Sequence, residues 1–224
     1  MNPIYTPLIG RIGNQLFQYA KARAIAERDG RPLTTPPWVG EAIFDLPCVS
    51  RNLPDAETIE GYGQNQDSLI YTRAQVKQWF KLKLPVEQAL ESVPLSPIIA
   101  HRRVGDYARL GYVVVSEQSY RDAWHKFEFE PTPLEFVTEE NPMRVSGLPD
   151  WLPDFYRMMR SKVLFRGNSS FSWWAATLSE ARIFSPIITG KEGGREQHCE
   201  FVSGNWPKFA DLPNITDLHL KEGK

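Results

Sequence analysis

The sequence predicts an α/β protein organised around parallel sheet, and three observations predict it. In the second half, short apolar runs alternate with amphipathic stretches of about a dozen residues, which is the pattern of βαβ units. Near the N-terminus, an apolar run from Ile4 to Ile9 passes through the turn Gly10-Arg11-Ile12-Gly13-Asn14-Gln15 into a helical stretch ending near Arg28. Charged and small polar residues also gather directly after apolar runs, at His101–Asp106 and at Gly167–Ser172. Open α/β sheets bind ligands beyond the carboxyl ends of their strands, so these are the places to look for a site.

Composition narrows the class further. The 224 residues suffice for one large domain or two small lobes, and Pro94-Leu95-Ser96-Pro97 reads as the linker. The expected lobes are therefore residues 1–94 and 95–224. A net charge of −1 and 24% charged residues give no global attraction to nucleic acid or anionic membrane, so any anion site must be local. No apolar run approaches the roughly 20 residues of a spanning helix, so no integral membrane contact is expected. The N-terminus carries no charged region followed by an apolar core, which argues against a secretory signal and for a cytoplasmic protein. Cys48 and Cys199 are far apart and suit a reduced pair rather than a metal site. The glycosylation patterns at Asn168 and Asn214 then carry little meaning.

Taken in order, each element has a local reason. Ile4–Ile9 is a first strand, with Pro7 suggesting an edge or a bulge. Leu16, Ala20 and Ala24 place small apolar residues on one face of the first helix, so it can pack closely on a sheet, and Asp29-Gly30 ends it. Residues 31–70 show little period and read as short strands and loops. Thr72-x-x-Gln75 is a capping box, followed by Val76, Trp79 and Phe80 on one face, and a second helix follows Pro85. Pro97–Ala100 is a buried strand. Further on come a helix over Ser116–Phe127, a strand over Leu134–Thr138 and a helix over Asp150–Arg160 with Pro153 in its first turn. A strand over Lys162–Phe165, a helix over Ser170–Ala181 and a strand over Arg182–Pro186 complete the pattern.

Three stretches carry chemistry. Strand, glycine turn and helix at Gly10–Gln15 can aim backbone N–H groups at an anion, or can simply make the turn. Arg102 and Arg103 at a strand end suit a phosphate-bearing ligand, because a guanidinium is a fixed fork of donors that keeps its charge; the bland alternative is a solvated basic turn. Ser169 and Ser170 can cap the helix that follows or offer hydroxyls to a ligand. Trp173 and Trp174 suit core better than a sugar platform, since adjacent helical residues diverge. There is no Asp-x-Asp and no His/Asp/Glu cluster to hold a metal.

Together these stretches resemble the bacterial α-1,2-fucosyltransferases. Gly10–Ala20 resembles that family's N-terminal motif, His101-x-Arg103-x-Gly105-Asp106-Tyr107 its His-x-Arg-Arg-Gly-Asp-Tyr motif, and Asn168–Ala176 its Asn-Ser-Thr-Phe-Ser-Trp-Trp-Ala-Ala motif. The order matches, while the stretch between the first two motifs does not. The resemblance implies a GT-B-type fold, two Rossmann-like lobes with parallel sheets facing a cleft, the N-terminal lobe reduced. It implies an inverting, metal-independent transfer of L-fucose from GDP-L-fucose to a galactoside hydroxyl of an oligosaccharide or glycan acceptor, with no cofactor beyond the donor substrate.

Carried over residue by residue, the resemblance makes Arg103 and Asp106 catalytic. It places Arg11, Gly13, Asn14, Gln15, His101, Asp154, Asn168, Ser169, Ser170, Phe171 and Ser172 at the donor. Arg103 would stabilise the leaving diphosphate. Asp106 is a candidate base, or alternatively holds Arg103 or caps the turn. Asp154 would accept from guanine N1–H and its exocyclic amine, or would serve as a helix N-terminal charge. Glu139 and Glu140 are candidates for ribose or base contacts. The family's second motif arginine falls on Val104 when the motif is aligned without a gap; a one-residue shift would instead keep Arg102 and Arg103. Two other readings stand beside this one: a GT-B transferase for another nucleotide sugar or linkage, and an inactive nucleotide-sugar or glycan-binding module.

Overall fold

The computed structural model describes residues 2–47, 53–64, 66–188 and 194–204. Cys48 and the Asn214 pattern lie outside the described residues. The chain forms two compact units that meet in sequence between Glu87 and Gln88.

The first unit holds a three-stranded parallel sheet of order β2-β1-β3, made from β1 (Ile4–Tyr5), β2 (Leu33–Thr34) and β3 (Glu57–Thr58). The first strand is central, not an edge, and it is two residues long rather than six. It stops because Pro7 has no N–H to donate and Leu8 takes a left-handed φ of 53°. Helix α1 (Ile12–Asp29) packs on β1 and β2 and starts earlier than expected, so Gly13, Asn14 and Gln15 form its first turn. Gly30 ends it in the left-handed conformation, its N–H bonding to the Ala26 and Glu27 carbonyls. The remaining helices here are α2 (Gly40–Ile43), α3 (Arg73–Trp79) and α4 (Leu84–Leu90), the last of which runs across the boundary between the units. The Thr72–Gln75 capping box forms in full at the start of α3.

The second unit is a five-stranded sheet of order β10-β8-β7-β4-β6. Its strands are β4 (Ile98–Arg102), β6 (Glu135–Thr138), β7 (Val163–Phe165), β8 (Arg182–Pro186) and β10 (Phe201–Gly204). The first four run parallel, as the alternating pattern requires, and β10 adds antiparallel to β8. A separate two-stranded parallel ladder joins β5 (Val114–Val115) to β9 (Glu196–Gln197). The connecting helices are α5 (Gly105–Leu110), α6 (Glu117–Lys126), α7 (Leu152–Arg160) and α8 (Ser170–Leu178). The sequence reading did not anticipate α5, β5, β9 or β10, all of which are short. Helix α8 also ends three residues early: the Ser179 hydroxyl donates to the Ala176 carbonyl and accepts from the Ala181 N–H, which turns the chain into β8.

The order of the strands positions the site. From β4 the chain crosses to β6 on one side, then returns past β4 to β7 and continues to β8 on the other. Adjacent strands β4 and β7 thus send their following segments in opposite directions, which opens a crevice at their carboxyl ends. Right-handed crossovers in opposite directions put helices on opposite faces. Accordingly α7 and α8 pack against each other, while α6 lies against β10. The core under α6 joins Ile98, Ala100, Val115, Tyr120, Phe165, Phe184 and Phe201. Phe165 and Phe184 stack at 4.7 Å between ring centroids, adding about 1 kcal/mol to their burial. Among the described residues no helix is long and apolar enough to cross a membrane.

Candidate functional site

Two loops border the β4–β7 crevice. The first leaves β4 as Arg103-Val104 and enters α5; the second leaves β7 as Arg166-Gly167-Asn168-Ser169 and enters α8. They touch directly, because the Tyr107 hydroxyl donates to the Asn168 carbonyl at 3.3 Å and the His101 and Phe171 rings lie 5.6 Å apart.

Strand alternation sorts the basic residues of the first loop. Arg102 faces the α6 side, where its Nε donates to the Val115 carbonyl at 3.3 Å and its guanidinium pairs with Glu196. Arg103 faces the other way. One Nη donates to Asp106 Oδ1 at 2.6 Å, its Nε lies 3.7 Å from Glu139 Oε1, and its guanidinium sits 5.2 Å from the Tyr107 ring centroid. Val104 is half-buried and precedes α5, its N–H donating to Glu139 Oε1 at 2.9 Å.

His101 is buried, and that burial pulls its imidazole down to about 4, so it is neutral at physiological pH. Its backbone carbonyl accepts from the Tyr120 hydroxyl at 2.9 Å, and its Nδ1 has no hydrogen-bond partner. Gly167 packs on the same imidazole. A Cβ there would come within 2.8 Å of the His101 carbonyl and 3.1 Å of Nδ1, so this position requires glycine for a close approach rather than for its φ. Gly167 opens a stretch the sequence singled out, but its close approach to His101 was not foreseen, and Tyr120 is a site residue that sequence reasoning missed. A glycine two residues after a buried strand was a usable signal for the first. Tyr120 gave none, since its role depends on how α6 docks.

In the second loop, Ser169 is the N-cap of α8: its Oγ accepts from the Ser172 N–H at 3.2 Å. Ser172 is fully buried and donates its hydroxyl to the Gly167 carbonyl at 2.9 Å, while Asn168 Nδ2 donates to the Val113 carbonyl at 2.9 Å. These three side chains bind the protein's own backbone: Ser169 and Ser172 tie the loop to the start of α8, and Asn168 ties it to the residue before β5. Ser170 and Phe171 are half-buried, and Phe171 is wedged against His101, Trp151 and Phe155. Trp173 and Trp174 are core.

Asp154 stands in the first turn of α7, next to Phe155. Its Oδ2 accepts from the Met143 N–H at 3.1 Å and its Oδ1 from Arg157 at 3.2 Å. Burial raises its carboxyl above the usual range, and those two donors oppose the shift. Arg166 is buried as well, with its Nε on Ser185 Oγ at 2.8 Å; burial lowers its guanidinium to about 10, still charged near neutrality. The Cys199 thiol is buried and free, and burial pushes it up to about 11. Among the described residues no group of three or more His, Cys, Asp or Glu side chains could hold a metal.

The other expected site residues, Arg11, Gly13, Asn14 and Gln15, come together in the first unit. Gly10 takes a φ of 83°, and a Cβ there would meet Asn14 Nδ2 at 2.7 Å. Gln15 Nε2 donates to the Leu8 and Gly10 carbonyls, and the buried Gln18 bonds both the N–H and the carbonyl of Ile9. Asn14 Oδ1 accepts from Gln64 at 2.7 Å, Gly13 is buried and Arg11 is exposed. The turn is therefore laced by its own amides.

No protein-family model matches this sequence, and no curated protein matches it. Solved structures do. The crystal structure of NodZ α-1,6-fucosyltransferase soaked with GDP-fucose superimposes with a TM-score of 0.53 at 15% identity, covering 91% of this chain and 100% of that one. A second, of fucosyltransferase NodZ from Bradyrhizobium, gives 0.51 at 14% identity over the same shares. At such identity the similarity is one of fold, and the class is α/β, GT-B-type, with parallel sheets.

Proposed function

We propose that this protein is an inverting, metal-independent fucosyltransferase that moves L-fucose from GDP-L-fucose to a galactoside hydroxyl, forming an α-1,2 linkage. The observation that carries the reading is the convergence of Arg103 and the Ser169-capped start of α8 at the carboxyl ends of adjacent parallel strands. A guanidinium and a helix N-terminus facing one crevice suit a diphosphate, whose charge grows as it leaves. The resemblance of the three sequence motifs to those of α-1,2-fucosyltransferases supports this donor and linkage, and the fold shared with structures of fucosyltransferases supports the same class.

In this mechanism the acceptor hydroxyl oxygen attacks the anomeric carbon of fucose from the side opposite the diphosphate. The bond from that carbon to the phosphate oxygen breaks, and GDP departs with the electron pair. Arg103 and the amides at the start of α8 stabilise the charge on GDP. Asp106 holds the Arg103 guanidinium through Oδ1 at 2.6 Å, and the hydroxyl proton passes to solvent as the new bond forms. His101, being neutral, positions the nucleotide without adding charge. Asp154, whose two oxygens accept from Met143 and Arg157, takes its alternative role as the charge in the first turn of α7.

The test is a donor and acceptor screen that reads GDP release with GDP-fucose, GDP-mannose and UDP-galactose, with and without EDTA. GDP-fucose should turn over with a galactoside acceptor, and chelation should leave the rate unchanged. Binding of GDP-fucose without release of GDP would establish a binding module instead. A product with a linkage other than α-1,2 would overturn the linkage while leaving the donor in place.

A further inference from the structure

Arg103 is only as well placed as the turn that carries it, and the structure shows what holds that turn. Helix α5 begins without a side-chain cap of its own, because Val104 occupies the N-cap position and cannot supply one. The N-cap residue is instead held from the end of the neighbouring strand: Glu139, directly after β6, accepts the Val104 N–H on Oε1 at 2.9 Å, as the glutamate of a capping box does from within its own helix. The same oxygen lies 3.7 Å from Arg103 Nε. Gly105 closes over it so tightly that a Cβ would stand 2.7 Å from Oε1. One carboxylate oxygen thus meets three consecutive residues, 103, 104 and 105, from another strand.

We propose that Glu139 is a positioning residue for Arg103. It fixes the β4–α5 turn through the Val104 N–H and so sets where the guanidinium points into the crevice. This gives Glu139 a different role from a ribose or base contact. What Arg103 is positioned for rests on the fucosyltransferase reading; the clamp itself does not. Because the essential feature is an acceptor oxygen, a glutamine should replace the glutamate and an alanine should not.

Two measurements test the proposal. The first is amide hydrogen exchange in wild type, Glu139→Ala and Glu139→Gln. Protection of the Val104 amide should fall on the order of tenfold in the alanine variant and stay near wild type in the glutamine variant. The second is GDP affinity by calorimetry in Glu139→Ala, Arg103→Ala and the double variant. Glu139→Ala should weaken GDP on the order of tenfold alone and add almost nothing once Arg103 is gone, since neighbours acting through one group are non-additive. Additive losses would overturn the proposal, because Glu139 would then act independently of Arg103. Unchanged Val104 exchange in Glu139→Ala, or a glutamine variant as impaired as alanine, would also overturn it. A wild-type protein that binds no GDP would defeat the fucosyltransferase reading, and the exchange pattern would still judge the clamp.

Discussion

A buried neutral histidine at the end of β4 makes stability depend on pH in a defined direction. In the unfolded chain His101 titrates near 6.5, whereas in the folded protein burial holds it near 4. Between those values the unfolded chain takes up a proton that the folded protein refuses, so stability rises with pH across that window. The contribution is fully present above 6.5, is lost as pH falls, and stops changing below 4. The full shift corresponds to about 3 kcal/mol, and about 2 kcal/mol of it should be gone near pH 5. Asp154 works against this trend, since a carboxyl raised by burial favours the folded state on acidification. The informative quantity is therefore the difference between wild type and His101→Asn, which cannot titrate. Urea unfolding near pH 8 and near pH 5 should show the wild type losing about 2 kcal/mol more than the variant. Equal losses in both proteins would mean that His101 is protonated in the folded state and that its uncharged role is wrong.

Two further outcomes follow from the same geometry. Arg103→Lys should lower kcat by on the order of 100-fold, because a lysine keeps the charge without the planar fork, whereas Arg102→Ala should leave turnover within a few-fold and cost stability through the lost Val115 and Glu196 contacts; steady-state kinetics with thermal melts separates the two. Gln18→Ala should destabilise the first unit by about 1–3 kcal/mol in urea unfolding, since it strips both the N–H and the carbonyl of Ile9 of their side-chain partner.

What the sequence made legible were features whose causes are local. Thr72 and Gln75 announced their capping box three residues apart, Gly30 its helix end, and the alternation after Ser116 the parallel sheet. Features whose causes lie far along the chain stayed hidden. Strand β10 pairs with β8 through residues that show no period of their own, and β5 needs β9, 82 residues later, to count as a strand. The motif residues near the site divide in the same way. The resemblance to the family motif grouped Asn168, Ser169 and Ser172, but only the packed structure shows that their polar atoms hold the Gly167–Ser172 loop. Helix α5 was missed because six residues with no apolar stripe give no periodic signal, although Gly111 ends it in a left-handed conformation.

The adjacent arginines show how chain direction and side-chain alternation divide two residues of identical chemistry. In an extended strand neighbours face opposite sides, so at most one of Arg102 and Arg103 can face the crevice between β4 and β7. Arg102 is drawn to the α6 face by Glu196, ninety-four residues away. Arg103 is left on the crevice side, between Asp106 and Glu139, so its immediate surroundings carry a net negative charge. A diphosphate arriving there meets two carboxylates beside one guanidinium. It can bind only by using donors those carboxylates leave available, and an arginine has five N–H groups, of which Asp106 takes one at 2.6 Å. The carboxylates therefore do not cancel the site; they orient the fork, while the start of α8 supplies the favourable potential the pair lacks. Val104 in place of a second arginine fits this arrangement, since its N–H, rather than a second charge, is what ties the loop to Glu139.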